Sequence, residues 1–184
     1  PITILLLART ILSLQNRSMS KFTATMLFAL AIITAFLMWW FSPSQVVKRQ
    51  TNTVINCLDI PQTATKTYRA LKTTRFSNLL AKTATCHVDI ANYHKDLTHD
   101  QLVESHQLYA YHVDWASAKG SNIKVNIIDD QHATAQAELN FTISSKKMAA
   151  SSELITLNLS WQKNDAGKWQ LTKVEMMGDI AGGM

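Results

Sequence analysis

This chain of 184 residues predicts an α+β architecture, with helices packed on a curved antiparallel sheet behind one N-terminal transmembrane helix. Three observations lead there. An uncharged apolar run spans Phe22 to Phe41, the middle of the chain repeats its apolar residues at helical spacing, and from Ile123 the apolar period shortens from 3.6 to 2.

A hydrophobic content of 47% is enough for a proper core and excludes a disordered chain. The net charge of +5 would suit nucleic acid, but only 17% of residues are charged and no aromatic-plus-basic motif of an RNA-binding sheet is present, so no nucleic-acid partner is expected. The basic excess is local. Residues 42–82 hold seven basic side chains against Asp59 alone, whereas residues 83–184 hold eight basic and twelve acidic ones. That bias suits anionic lipid head groups or an acidic partner, and equally suits ordinary solvated helix faces.

Phe22 to Phe41, FTATMLFALAIITAFLMWWF, reads as a membrane anchor: 20 uncharged residues at ~1.5 Å rise match the ~30 Å of a bilayer core. Trp39, Trp40 and Phe41 replace the small-residue cleavage site of a signal peptide and suit an interfacial belt on a retained span. Arg9, Arg17 and Lys21 before the span favour a cytoplasmic N-terminus. The expected location is the bacterial inner membrane, single-pass, with everything after Ser42 in the periplasm. Residues 1–21 would be a short cytoplasmic tail. Met19 looks like a natural start, so residues 1–18 are either an artefact or part of that tail.

The elements follow in order. Val47, Thr51, Val54 and Leu58 share one face of a juxtamembrane helix within residues 42–60, stopped by Pro61. Ala64, Tyr68 and Leu71 mark a second helix; Thr73 and Thr74 break it, and Phe76, Leu79 and Leu80 make a short third. CHVDIANY alternates through Cys86, Val88 and Ile90 as a short strand. Thr98 and Gln101 form a capping box at the start of a helix whose Leu102, His106, Tyr109 and Val113 share one face. IKVNI alternates next, Asp129-Asp130-Gln131 is turn chemistry, and residues 132–144 and 154–162 alternate without fault. Ala133, Ala135 and Ala137 leave room for a helix to pack close. NDAGK then links to WQLTKVEMM, completing an antiparallel meander with one buried and one wet face. Residues 178–184 read as a loose tail.

Cys57 and Cys86 are the only cysteines. In an oxidising compartment they can pair, closing a loop worth ~3 to 4 kcal/mol, or stand as two independent buried thiols. No tight C-x-x-C or H-x-x-x-H pair exists, so no metal is expected. With five glycines and no phosphate-cradling loop or G-x-S-x-G, no cofactor is expected either.

The order of a helix pair, a short strand, a capped helix and long antiparallel strands ending in LSWQKNDAGKWQLTKVE resembles the nuclear transport factor 2-like superfamily, which includes ketosteroid isomerase and SnoaL-like cyclases. The resemblance covers about residues 61–177. It implies a cone-shaped domain whose sheet curls around a cavity roofed by helices. His106, Tyr109, Asp89, Tyr93, Trp115 and Trp161 are then the cavity candidates, with the alternative that His106 and Tyr109 only edge the helix with their tips in water. Ketosteroid isomerases use an aspartate base with tyrosine and protonated-acid donors. No residue here aligns with that motif, so no catalytic residue is assigned. The layout of tail, span and periplasmic domain is also similar to inner-membrane assembly proteins of type IV secretion systems. The expected function is therefore a membrane-anchored, non-enzymatic binding or scaffolding module with an envelope protein partner or a second copy of itself. The alternatives are a binder of small apolar ligands and an isomerase- or cyclase-like enzyme.

Overall fold

The computed structural model describes residues 21–90, 93–145 and 148–178. It divides into two compact units, one ending at Ser42 and one beginning at Pro43. Of the tails expected at 1–21 and 178–184, residues 1–20 and 179–184 lie outside the described residues, while Lys21 opens a helix and Gly178 ends a strand.

In the first unit, helix α1 covers Lys21–Trp40. Every large apolar side chain from Met26 to Phe41 is at least 40% exposed, so the helix is apolar all round and lacks a buried stripe. Among the described residues no single helix is long and apolar enough to cross a membrane.

The second unit places three helices on one face of a six-stranded sheet. These are α2 (Pro43–Leu58), α3 (Lys66–Leu79) and α4 (His99–His112). The strands β1 (Leu80–Ile90), β2 (Tyr93–Thr98), β3 (Val113–Ile127), β4 (His132–Ser145), β5 (Met148–Lys163) and β6 (Trp169–Gly178) lie in the order β2-β1-β6-β5-β4-β3. Strands β3 to β6 form the expected antiparallel meander. The sheet as a whole is mixed, however, because β1 runs parallel to β6. The chain leaves β1 through the β2 hairpin and crosses by α4 to the far edge, and such a crossover is what a parallel pair requires.

Residues 43–60 do not stand apart from the domain. Val47, Thr51, Val54, Ile55 and Cys57 are buried, and Val47 and Val54 share an apolar cluster with Ala133 and Ala135, while Ile55 packs with Ala137. The three alanines therefore admit α2, and the compact unit starts at Pro43 where 61 was expected. A second difference concerns α3, which runs unbroken through Thr73 and Thr74. The Thr74 hydroxyl bonds back to the carbonyl of Ala70 (3.1 Å), which accommodates threonine within a helix, and that of Thr73 turns to the His106 ring (3.3 Å). The inward face of α3 is consequently Arg69, Thr73 and Phe76, and Tyr68 and Leu71 point outward.

The capping of α4 is as expected, with Gln101 Oε1 accepting from the Thr98 backbone N–H at 3.0 Å. The turn before β6 also follows its residues. Asn164 Oδ1 accepts from the N–H groups of Ala166 and Lys168, and Gly167 supplies a φ of 72° that a side chain would strain.

Candidate functional site

The inward face of α4 carries His106 and Tyr109, and both are taken up by the end of α2. A helix leaves its last four carbonyls without intrahelical donors. Here Lys72 Nζ donates to the carbonyl of Asn56, His106 Nε2 to that of Cys57 at 3.1 Å, and the Tyr109 hydroxyl to that of Leu58. Three polar side chains from α3 and α4 thus cap three successive carbonyls of α2. Helix α4 is closed in the same manner. The guanidinium of Arg69 donates to the carbonyls of Ala110 (2.6 Å), Val113 (2.7 Å), Asp114 (3.0 Å) and Ala64 (3.2 Å), using the planar fork that arginine alone provides.

His106 is 5% exposed and stacks on Phe76 with ring centroids 4.4 Å apart. Its tautomer follows from its partners. A carbonyl only accepts, so Nε2 carries the proton, and Nδ1 accepts from the Thr73 hydroxyl at 3.3 Å. Burial lowers the imidazole below its ordinary value and keeps it neutral. Tyr109 sits edge-on to His106, centroids 5.9 Å apart, and burial raises its phenol, with the Asp59 charge adding to the shift. A neutral imidazole and a protonated phenol, each engaged with backbone, are hydrogen-bonding struts. Neither is poised as a base.

The other cavity candidates lie apart from this pair. Asp89 alternates with buried Cys86 onto the opposite, wet face of β1, where its carboxylate meets His94 Nδ1 at 2.7 Å. Trp115 is half-buried and out of phase with buried Ala116 on β3. Trp161 is 1% exposed within the core, with Trp169 at 5% in the same cluster. The Tyr93 side chain lies outside the described residues. Cys57 and Cys86 are free, each 1% exposed in that same cluster, and behave as small apolar side chains; burial raises both thiols, Cys86 to about 11. Among the described residues no group of three His, Cys, Asp or Glu side chains is placed to hold a metal.

Among the depressions that open elsewhere in the described residues are three of note. Two lie on the wet face of the sheet, of about 490 and 420 Å³, the first lined by His87, Asp96, Lys173 and Glu175 and the second by Lys124, Gln136, Asn158 and Glu175. Their charges largely pair. His87 Nδ1 meets Asp96 at 2.7 Å and Lys173 Nζ meets Glu175 at 2.6 Å. The third, of about 310 Å³, lies beside α2 and the β5–β6 turn. Sequence reasoning missed it because its lining comes from four separate elements and carries no motif.

No protein-family model matches the chain, and no curated protein is similar to it in sequence. Solved structures are similar in fold. A protein of the NTF2-like (nuclear transport factor 2-like) family from Streptomyces avermitilis superposes with a TM-score of 0.59 at 11% identity, covering 75% of this chain and 96% of that one. Hexachlorocyclohexane dehydrochlorinase LinA-type3 from Novosphingobium barchaimii gives 0.58 at 8% identity over 74% and 89%. The association domain of C. elegans CaMKII gives 0.52 at 15% identity over 72% and 93%. The first is described as a dehydratase, the second is a dehydrochlorinase and the third an association domain, so the likeness shows the fold and leaves chemistry to the site.

Proposed function

We propose that the chain is a membrane-anchored, non-enzymatic binding or scaffolding module, with its cone domain on the periplasmic side of a bacterial inner membrane. The observation that carries this reading is the set of large apolar side chains from Met26 to Phe41, on α1 and just after it, all of them exposed. An apolar surface of this extent is stable in water only when a bilayer or a partner covers it. Lys21 before it and Lys48 and Arg49 after it flank the segment as charges flank a span. Helix α2 cannot extend the span, because its apolar face is already buried in the domain.

The domain itself supports binding over catalysis. His106 and Tyr109 are engaged with the carbonyls of α2, and Trp161 and Trp169 fill the core beneath the helices. What remains outward is the wet sheet face, with Thr134 to Thr142 on β4 and Thr156 to Gln162 on β5. Its hydroxyls and amides suit a reversible contact with an envelope protein or a second copy of the chain.

Alkaline carbonate extraction followed by in-membrane cross-linking of the full chain tests the reading. The chain should stay in the membrane pellet and cross-link to protein through β4 and β5. Release by carbonate, or a bound small molecule in the cone without any protein cross-link, would overturn it.

A further inference from the structure

The depression of about 310 Å³ differs in chemistry from the two on the wet face. Its lining includes the amides of Gln50 on α2, Asn78 on α3 and Gln170 on β6, together with Lys168 at the turn and Trp169 beside it, and no carboxylate. Lys163 adds a second cation nearby, its Nζ 5.1 Å from the centroid of the Trp169 ring. The Gln50 side-chain oxygen is buried and lacks a hydrogen-bond partner, so a bound donor such as a hydroxyl would satisfy it after a turn of the terminal amide. Amides that both donate and accept recognise hydroxyl groups, and a lysine beside them, with no acid to neutralise it, recognises phosphate.

We propose that this depression binds a phosphorylated polyol, with Lys168 on the phosphate and the amides of Gln50, Asn78 and Gln170 on the hydroxyls. Its size lies at the lower end of small-molecule sites, enough for a head group. Two sources share this chemistry: the glycerol-phosphate head group of an anionic lipid, and a free sugar or glycerol phosphate. The lipid source rests on the membrane reading above.

The test uses the full chain in a detergent without a sugar head group, titrated separately with dihexanoyl phosphatidylglycerol, dihexanoyl phosphatidylcholine and glycerol 1-phosphate, with calorimetry as the readout. Phosphatidylglycerol should bind about tenfold tighter than phosphatidylcholine, and Lys168→Ala and Gln170→Leu should each remove most of that preference. Lys168 is exposed, so its substitution leaves folding intact. Binding of glycerol 1-phosphate with the same sensitivity to both variants, and no preference between the lipids, would assign the site to the free phosphate. Equal binding of both lipids with no binding of glycerol 1-phosphate, or binding indifferent to both variants, overturns the proposal. Carbonate extraction reports on the anchor independently, so the two readings fail separately.

Discussion

The Nε2 of His106 lies 3.1 Å from the carbonyl oxygen of Cys57, 49 residues away, and this contact ties the middle of α4 to the last turn of α2. The imidazole donates there and accepts from Thr73 on its other side. It therefore connects three helices at once while remaining neutral.

Stability should depend on pH through this residue. Burial lowers the folded pKa of His106, so the unfolded chain binds the extra proton first as pH falls through about 6.5. Its contribution is complete above that pH and is lost progressively as the pH falls below it. His106→Gln should lower stability at pH 7.5 by about 1–3 kcal/mol, and the gap to the parent should narrow toward pH 5. Thermal unfolding across that range checks this. His87 acts with the opposite sign: its hydrogen bond to Asp96 raises its pKa, so its contribution is present below about 6.5 and fades as pH rises through the raised value.

Arg69→Lys should destabilise the chain by about 1–3 kcal/mol, because an ammonium cannot reach the carbonyls of Ala64, Ala110, Val113 and Asp114 together. Arg75→Lys, at an exposed position of the same helix, serves as the comparison and should change stability by less than ~0.5 kcal/mol. Urea unfolding midpoints of the two variants measure the difference.

Cys57 and Cys86 should resist alkylation. Each thiol is 1% exposed and held protonated by burial, so the reactive thiolate is scarce at neutral pH. Intact mass after iodoacetamide should show no adduct on the folded chain and two on the chain unfolded in urea. Rapid labelling of the folded chain, or a mass two hydrogens short, would contradict this.

Much of the fold is legible in local pattern. The alternation from Ala133 to Ile143, the Thr98–Gln101 box and the Asn164–Lys168 turn each depend on neighbours close in sequence, and each forms as read. What is not legible depends on distant partners. Val47, Thr51 and Val54 mark one face of a helix, but nothing local says that this face meets Ala133 and Ala135 within the domain. Thr73-Thr74 looks like a break until the Thr74 hydroxyl finds the carbonyl four residues back and that of Thr73 the His106 ring. Arg69 reads as a surface charge because its four acceptors lie as far as 45 residues away.

The same reasoning explains the polar residues of α4. Spacing places His106 and Tyr109 on the inward face, where the structure has His106 buried and Tyr109 half-buried. Two polar groups on a buried face suit a cleft or a capped helix end equally well. Only the position of α2, with its unpaired carbonyls of Cys57 and Leu58 directly opposite, distinguishes them.

The most direct measurement is therefore the stability of Tyr109→Phe in the full, detergent-solubilised chain, which removes one hydroxyl and nothing else. If Tyr109 caps α2, thermal unfolding should show a loss of about 1–2 kcal/mol, from the unpaired Leu58 carbonyl. An unchanged unfolding temperature, accompanied by loss of a small molecule that the parent retains, would show that the hydroxyl serves a ligand and that the cone is a working cavity.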